Sequence, residues 1–462
     1  MIDFAPLLQP DKGKPANSLH LVDKAGLEAW LAAQPARVRQ ALVAQGFKGE
    51  ASQIALVPGE KADWSAIVGV GDAARLGPWC LAKAAEWLPA GTYRLVGSGA
   101  GAATLGWLLG QYRFDRYKSE PSPKGSRVLL TDEPARIADT LNLAEATASV
   151  RDYVNIPAQD CGPQELETAV SDLSGAHSAT FSQTCGAKLE RGFPMIAAVG
   201  RAAEPSRAPR LIELEWGDPS HPRVAIVGKG VVFDTGGLDI KPASGMRIMK
   251  KDMGGAAHAI ALASLVMKSR LPVRLHLLVP AVENAIAGNA FRPGDVLKSR
   301  KGLTVEIGNT DAEGRLILAD ALTKAVEDEP GLILDFATLT GAARVALGPD
   351  LPALFSNSDA LAADILSAGE AADDPLWRMP LWKGYHELFA SDVADFSNAS
   401  ESPFAGAITA ALFLAKFVPD TIPWAHLDTF AWRATAKPGR PKGGEALGLR
   451  AAWSMLKARY GG

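Results

Sequence analysis

Cysteine is scarce: only Cys80, Cys161 and Cys185 occur in 462 residues, with no Cys-x-x-Cys pair among them. So thin a supply fits three unpaired thiols in a reducing compartment rather than a disulfide framework. Long apolar runs are also missing. No stretch approaches the roughly 18 apolar residues that a membrane-spanning helix needs. The opening Met1-Ile2-Asp3-Phe4-Ala5-Pro6 lacks the basic-then-apolar pattern of a secretory leader, so the expected location is the cytoplasm. Excess charge is absent too: 48 Lys+Arg against 51 Asp+Glu leave a net −3. That balance gives no electrostatic footing for nucleic acid or an anionic membrane, and neither is an expected partner.

Familiar hydrolytic signatures are also missing. There is no His-Glu-x-x-His, and the seven histidines show no ligand spacing. His258 falls in an Ala-rich helical run and reads as packed. No Gly-x-Ser-x-Gly elbow and no Walker lysine loop occur. Cys161 and Cys185 lack a nucleophile signature. Short internal repeats and low-complexity tracts are absent.

What is present is 47% apolar, rich in aliphatics, Ala and Gly, and long enough for more than one core. The first part alternates strand-like runs (54–57, 66–70, 92–96) with helix-like ones (26–33, 78–87, 102–109), which indicates a small α/β domain over residues 1–132. A polar stretch at 118–126 and a short strand at 127–130 follow. A connecting helix and linker are expected over 133–163, ended by Pro157 and Gly162-Pro163. A larger α/β domain with a mixed central sheet flanked by helices is expected over 164–462. Its candidate strands are 195–199, 210–215, 224–227, 273–280, 332–338 and 344–347. Its candidate helices are 254–269, 316–327, 358–373 and 407–417. Near-continuous apolar strands imply a sheet covered on both faces, and ligands bind such sheets at the carboxyl ends of the strands. Lys229 and Thr338 lie at such ends.

Three segments put charge where a buried α/β core would not want it. They are Lys229 to Asp234 with Lys241-Pro242, then Lys251-Asp252-Met253-Gly254-Gly255, then Asn309-Thr310-Asp311-Ala312-Glu313-Gly314-Arg315-Leu316. If the last is extended, Asp311 and Glu313 point the same way. Two carboxylates at 4 Å repel by roughly 4 kcal/mol at an effective dielectric of about 20. A divalent cation between them removes that repulsion. Hard carboxylate oxygens suit Mg²⁺, Mn²⁺ or Zn²⁺, and the acids could hold two ions at the ~3.5–4 Å spacing of two-metal hydrolases. Taken singly, each piece has a plainer reading. Asp beside Gly is usually a turn residue, Lys241 a solvated lysine, Asp252 a helix cap and Arg315 an ion-pair partner.

Jointly, these segments resemble the leucyl aminopeptidase family of dinuclear metallopeptidases. The octapeptide Asn309–Leu316 matches that family's hallmark. Gly228-Lys229-Gly230, Phe233-Asp234-Thr235-Gly236-Gly237, Lys241-Pro242 and Asp252 to Ala257 match in order and spacing. Asn155-Ile156-Pro157, Ala337 to Ala342, Ala405 to Ala411 and His426-Leu427-Asp428 extend the likeness. The resemblance implies a metal-dependent aminopeptidase whose catalytic domain is the larger one. Two divalent ions per subunit (Zn²⁺, Mn²⁺ or Mg²⁺) would be held by Lys229, Asp234, Asp252, Asp311 and Glu313, with Asp234 and Glu313 bridging. Lys229 would ligate as a neutral amine. Moving its pKa from ~10.4 to below 7 costs about 4–5 kcal/mol, which a bond to a dication offsets. The resemblance also implies that a water bridging the metals attacks the first peptide bond while the substrate's free α-amine is held by a metal. Lys241 would stabilise the oxyanion, and Arg315 would hold a bicarbonate that relays the proton. Met249, Asn309, Thr338, Leu339, Gly341 and Phe430 would line the substrate pocket. The partners are peptides with a free amino terminus, and the assembly is a homohexamer.

Two departures bear on specificity. Thr429-Phe430-Ala431 follows His-x-Asp where the family commonly has Ile-Ala-Gly, so Phe430 narrows or reshapes the pocket. The loop at 398–403 lacks the paired glycines often found there. Two competing readings remain. Gly97 to Ala102 and Gly69 to Ala74 resemble dinucleotide fingerprints and would suit an oxidoreductase. Such short patterns more often mark tight strand-to-helix turns, and neither has an acidic partner ending a strand about 20 residues on. Some members of that family also bind DNA, but the intact ligand positions and the lack of basic excess favour catalysis over a scaffold role.

Overall fold

The computed structural model describes residues 2–59, 63–97, 99–120 and 125–461. Ser98, within the glycine pattern at 97–102, and residues 121–124, within the polar stretch at 118–126, lie outside the described residues. The chain forms two compact units: Met1–Ala148 with Ala434–Lys442, and Ser149–Arg433 with Gly443–Gly462.

The first unit holds a six-stranded sheet in the order Leu8–Pro10, Arg127–Thr131, Gly91–Val96, Asn17–Asp23, Trp64–Val70, Ile54–Pro58. Every pairing is parallel except the last. Asn17–Asp23 was not among the expected strands, although it lies inside the sheet. Only Leu19 and Val22 of it are buried, so its apolar signal is weak. The glycine turns are filled from within. Gly101 N donates to Glu133 Oε2 at 2.8 Å, and Ala74 N donates to Asp72 Oδ1 at 2.8 Å. A carboxylate therefore stands at each turn where a phosphate would need to bind.

The second unit is built on a nine-stranded mixed sheet. Its path runs Trp377–Arg378, Ala353–Ser356, Trp424–Asp428, Leu332–Ala337, Arg223–Gly228, Arg274–Asn284, Arg210–Trp216, Thr180–Cys185, and Gly230–Asp234 pairs beside Arg274–Asn284. The strands Trp424–Asp428, Leu332–Ala337 and Arg223–Gly228 are parallel neighbours, and their apolar residues are buried. The helix Gly254–Lys268 lies close against this core. A Cβ at Gly255 would fall 2.2 Å from Phe336 O, so only glycine permits that approach.

Two expected strands are helices. Residues 195–199 lie in the helix Pro194–Gly200. Proline suits a helix start, and buried Asp320 accepts from Met195 N at 2.9 Å. Residues 344–347 lie in the helix Gly341–Leu347, capped by Thr340 Oγ1, which accepts from Ala343 N at 3.0 Å. Short apolar runs do not separate strand from buried helix by periodicity, and here the caps decide. Pro163 ends nothing: it opens the helix Pro163–His177. His258 is packed as expected. Its Nδ1 lies 2.7 Å from Gly254 O, and its Nε2 accepts from Leu447 N at 3.0 Å.

Candidate metal centre

The chain leaves Arg223–Gly228 and re-enters the sheet as Gly230–Asp234, both beside Arg274–Asn284. Lys229 sits at that break. Its N–H donates to Phe336 O at 3.0 Å, and its carbonyl accepts from Ala256 N at 2.8 Å. With the backbone satisfied, the side chain turns into the unit, where a Cβ at position 314 would fall 2.5 Å from Lys229 Cε. Gly314 makes that room. Asp234 ends its strand, with Oδ1 accepting from Gly236 N and Asn284 Nδ2, both at 2.8 Å. Asp252 lies in the 3₁₀ turn Met249–Met253, just ahead of the helix Gly254–Lys268, and does not cap it.

The segment carrying Asp311 and Glu313 is not extended, contrary to expectation. Asp311 is in a turn, with its N–H donating to Asn309 Oδ1 at 2.7 Å. Glu313 is the first residue of the helix Glu313–Val326. The two carboxylates accordingly take different partners. Lys241 Nζ touches Asp311 Oδ1 and lies 2.8 Å from Asp234 Oδ2. Lys229 Nζ lies 2.8 Å from Asp252 Oδ2 and 2.9 Å from Glu313 Oε1, and donates to Thr338 O at 3.1 Å.

Buried Asp234, Asp252 and Glu313 each bring one oxygen within 4.8 Å of the others. Asp311 stands outside that converging set. Glu313 Oε2 is buried with no hydrogen-bond partner. Burial, then Asp234, pushes Glu313 up to about 8, and the same causes push Asp311 up to about 6. Burial works against the charged form of Lys229, yet Asp252, Glu313 and Asp234 carry its pKa upward overall. The protein alone therefore leaves surplus negative charge and one orphaned carboxylate oxygen at a single point. Hard oxygen donors so arranged fit a divalent cation.

Arg315 follows in the first turn of the same helix. Its Nη1 donates to Asn398 O at 2.6 Å, its buried Nε has no hydrogen-bond partner, and burial lowers its pKa to about 10. Asn398 was not anticipated. Its Oδ1 accepts from Gly308 N at 2.8 Å and its Nδ2 donates to Asn309 O at 2.8 Å, so it pins the loop that carries the acids. Asp428 does likewise for the opposite loop, accepting from Leu339 N at 3.0 Å and Thr340 Oγ1 at 2.6 Å. Only the absence of glycine at 398–403 and the His-x-Asp echo marked these places in the sequence.

All these charged groups line one cavity of about 460 Å³. Met249, Asn309, Thr338, Leu339, Gly341 and Phe430 line it too. So do Lys251, which the sequence placed in a charged segment without a role, and Arg344, which no charged segment contained.

Residues 148–452 match the catalytic domain of the cytosol aminopeptidase family, and residues 18–131 match the M17 aminopeptidase N-terminal domain. The chain belongs to the cytosol aminopeptidase family. It is 36% identical over 461 residues to a probable cytosol aminopeptidase of Chlorobium limicola, covering 90% of this chain and 91% of that protein. It is 42% identical over 369 residues to one of Syntrophotalea carbinolica, covering 76% of this chain and 73% of the relative. The crystal structure of cytosol aminopeptidase from Coxiella burnetii superposes with a TM-score of 0.93 at 45% identity, covering 98% and 99% of the two chains. The bottromycin maturation enzyme BotP in complex with Mn superposes at 0.86 with 34% identity, covering 96% and 99%. The resemblance carried by Asn309–Leu316 thus holds, and with it the α/β fold of a cytosol aminopeptidase with smaller amino-terminal and larger carboxy-terminal domains.

Proposed function

We infer that this chain is a metal-dependent aminopeptidase that hydrolyses the first peptide bond of substrates with a free amino terminus. The observation that carries the reading is the convergence of buried Asp234, Asp252 and Glu313 in the family's cavity. Two divalent ions would be held by these acids with Asp311 and Lys229, the latter after losing its proton. Zn²⁺, Mn²⁺ and Mg²⁺ all suit the donor set. When bound, such ions supply an acidified water and a polarised carbonyl.

The chain's own groups do the rest. Lys241 keeps its proton beside Asp234 and Asp311, which together outweigh the effect of burial on it, and it stabilises the developing oxyanion. Arg315, with a spare buried Nε, would hold a bicarbonate, which when bound would supply a proton relay. A divalent ion held by the acidic cluster would also offer a coordination position to the substrate's free α-amine, which would confine cleavage to the first residue. Met249, Asn309, Thr338, Leu339, Gly341 and Phe430 receive that residue's side chain.

The three cysteines form no disulfide, which supports a cytoplasmic setting. No helix among the described residues is long and apolar enough to cross a membrane. A homohexamer is the proposed assembly, and exposed Val345, Phe404 and Trp382 would suit subunit contacts. Comparing hydrolysis of amino-terminally free and acetylated peptides, before and after chelation and with metals added back, tests the reading. Equal cleavage of both peptides, or activity untouched by chelator, would end it.

A further inference from the structure

On the Asp252 side of the carboxylate cluster, the cavity wall carries positive charge that the proposed mechanism does not use. Lys251 is 5% exposed and lines the cavity. Its ammonium lies 3.8 Å from Asp252 Oδ1, beyond hydrogen-bond length. The Lys251 ammonium lies 5.0 Å from the centre of the Phe430 ring. The Arg344 guanidinium lies 4.8 Å from the same ring, lines the same cavity and forms no ion pair among the described residues. Both cations thus lie within cation–π range of the one Phe430 ring. Thr338 closes the near side, its Oγ1 donating to Asp252 Oδ1 at 2.8 Å.

This wall is where the first side chain must go if the reacting bond lies over the acids. An aliphatic side chain there would strip water from Lys251 and return nothing. A carboxylate would pair with Lys251 and Arg344 through charge-assisted hydrogen bonds. We propose that this wall is a specificity subsite for amino-terminal residues bearing a side-chain carboxylate, Glu and Asp. The proposal deepens the aminopeptidase reading and rests on it for the placement of the substrate. Lys251 and Arg344 are specificity-determining residues, and Phe430 is a positioning residue that acts through them.

The test uses full-length, metal-loaded protein and Xaa-Ala dipeptides amidated at the carboxyl end, so that the first side chain supplies the sole substrate carboxylate. Glu should exceed its neutral isostere Gln in kcat/KM by about 10-fold to 100-fold, the range for a charge-assisted contact made or lost. Lys251→Met and Arg344→Ala should each collapse the Glu-to-Gln ratio, whereas Arg344→Lys should restore part of it. Phe430→Leu should lower the ratio with both cations still present. Calorimetric binding of free glutamate against glutamine provides a readout independent of turnover. A Glu-to-Gln ratio near one in the unmodified protein, or a ratio indifferent to both cation variants, would overturn the subsite. If no peptide is cleaved, the aminopeptidase reading fails, and the binding comparison still decides whether the wall selects carboxylates.

Discussion

Two buried charge clusters lie in the larger unit, and they are built in opposite ways. Glu445 is saturated. Its Oε1 accepts from Arg151 Nε and Nη2 at 3.0 and 2.9 Å and from Ala446 N at 3.1 Å, and its Oε2 accepts from Arg433 Nε at 3.2 Å. Both guanidiniums are nearly inaccessible. Asp350 Oδ1 lies 2.9 Å from Arg433 Nη1, so two acids match two guanidiniums, and the Glu445 carboxylate's hydrogen-bonding capacity is filled. At the cavity, Asp234, Asp252, Asp311 and Glu313 face, among the described residues, only Lys229 and Lys241 at ion-pair distance, apart from the longer Lys251 contact. Glu313 Oε2 stays unpaired. A satisfied buried network holds a fold together. An unsatisfied one at a cavity offers hard oxygen donors that suit a divalent cation.

Substitution should separate the clusters most sharply. Glu313→Ala should abolish turnover while the thermal transition stays cooperative, because it removes repulsion as well as a ligand. Glu445→Ala should instead destabilise the protein by about 3–5 kcal/mol by leaving buried guanidinium charge uncompensated, as urea unfolding would report. If Glu313→Ala unfolds the chain and Glu445→Ala does not, the contrast is wrong. Next in size, Lys241→Ala should lower kcat by about 10²–10³-fold, the usual loss for an oxyanion donor. Metal content, measured on the same sample, should persist.

Protons sharpen the same contrast. Glu313 is held protonated well above the usual carboxylate range, up to about 8. A raised carboxyl pKa gives stability that is present below the unfolded value and is lost as pH rises through the folded value. The metal-free cavity should therefore weaken the fold as pH climbs toward 8, and metal affinity should rise over the same interval as the proton leaves. Calorimetry in buffers of different ionisation enthalpy would count the protons released. Release persisting above pH 8 would report Lys229 giving up its own. The smallest expected effect is at Phe430. Phe430→Ala should shift kcat/KM ratios across Ala, Leu and Phe substrates toward the bulkier residues by a few-fold, and unchanged ratios would remove Phe430 from the pocket wall.

Much of the centre was legible before any coordinates. Lys229, Asp234, Asp252 and Glu313 stood out because charge in Gly-flanked segments of an apolar α/β chain has few uses. Their meeting point agrees with the rule that ligands gather at the carboxyl ends of parallel strands. Asn17–Asp23 was not legible, because its neighbours in the sheet supply the burial that its own alternation barely signals. Pro194–Gly200 was misread because helix and strand share short apolar runs, and a cap from Asp320, far along the chain, selects the helix. Lys251 and Asn398 fall in segments the sequence marked, yet nothing local gives them or Arg344 a role. Their roles come from partners distant in sequence: Phe430, whose ring lies near the two cations, and the loop at 308–312.

What the sequence determined alone was the inventory: which donors exist, that they are hard and acidic, and which family they belong to. Tertiary structure decided which of them meet. Asp311 and Glu313 are two positions apart, yet a turn and a helix start hand them to different lysines. Asp234, Asp252 and Glu313 come from distant segments and converge within 4.8 Å. Coulomb energy depends on separation in space and on local dielectric, and both are properties of the packed chain.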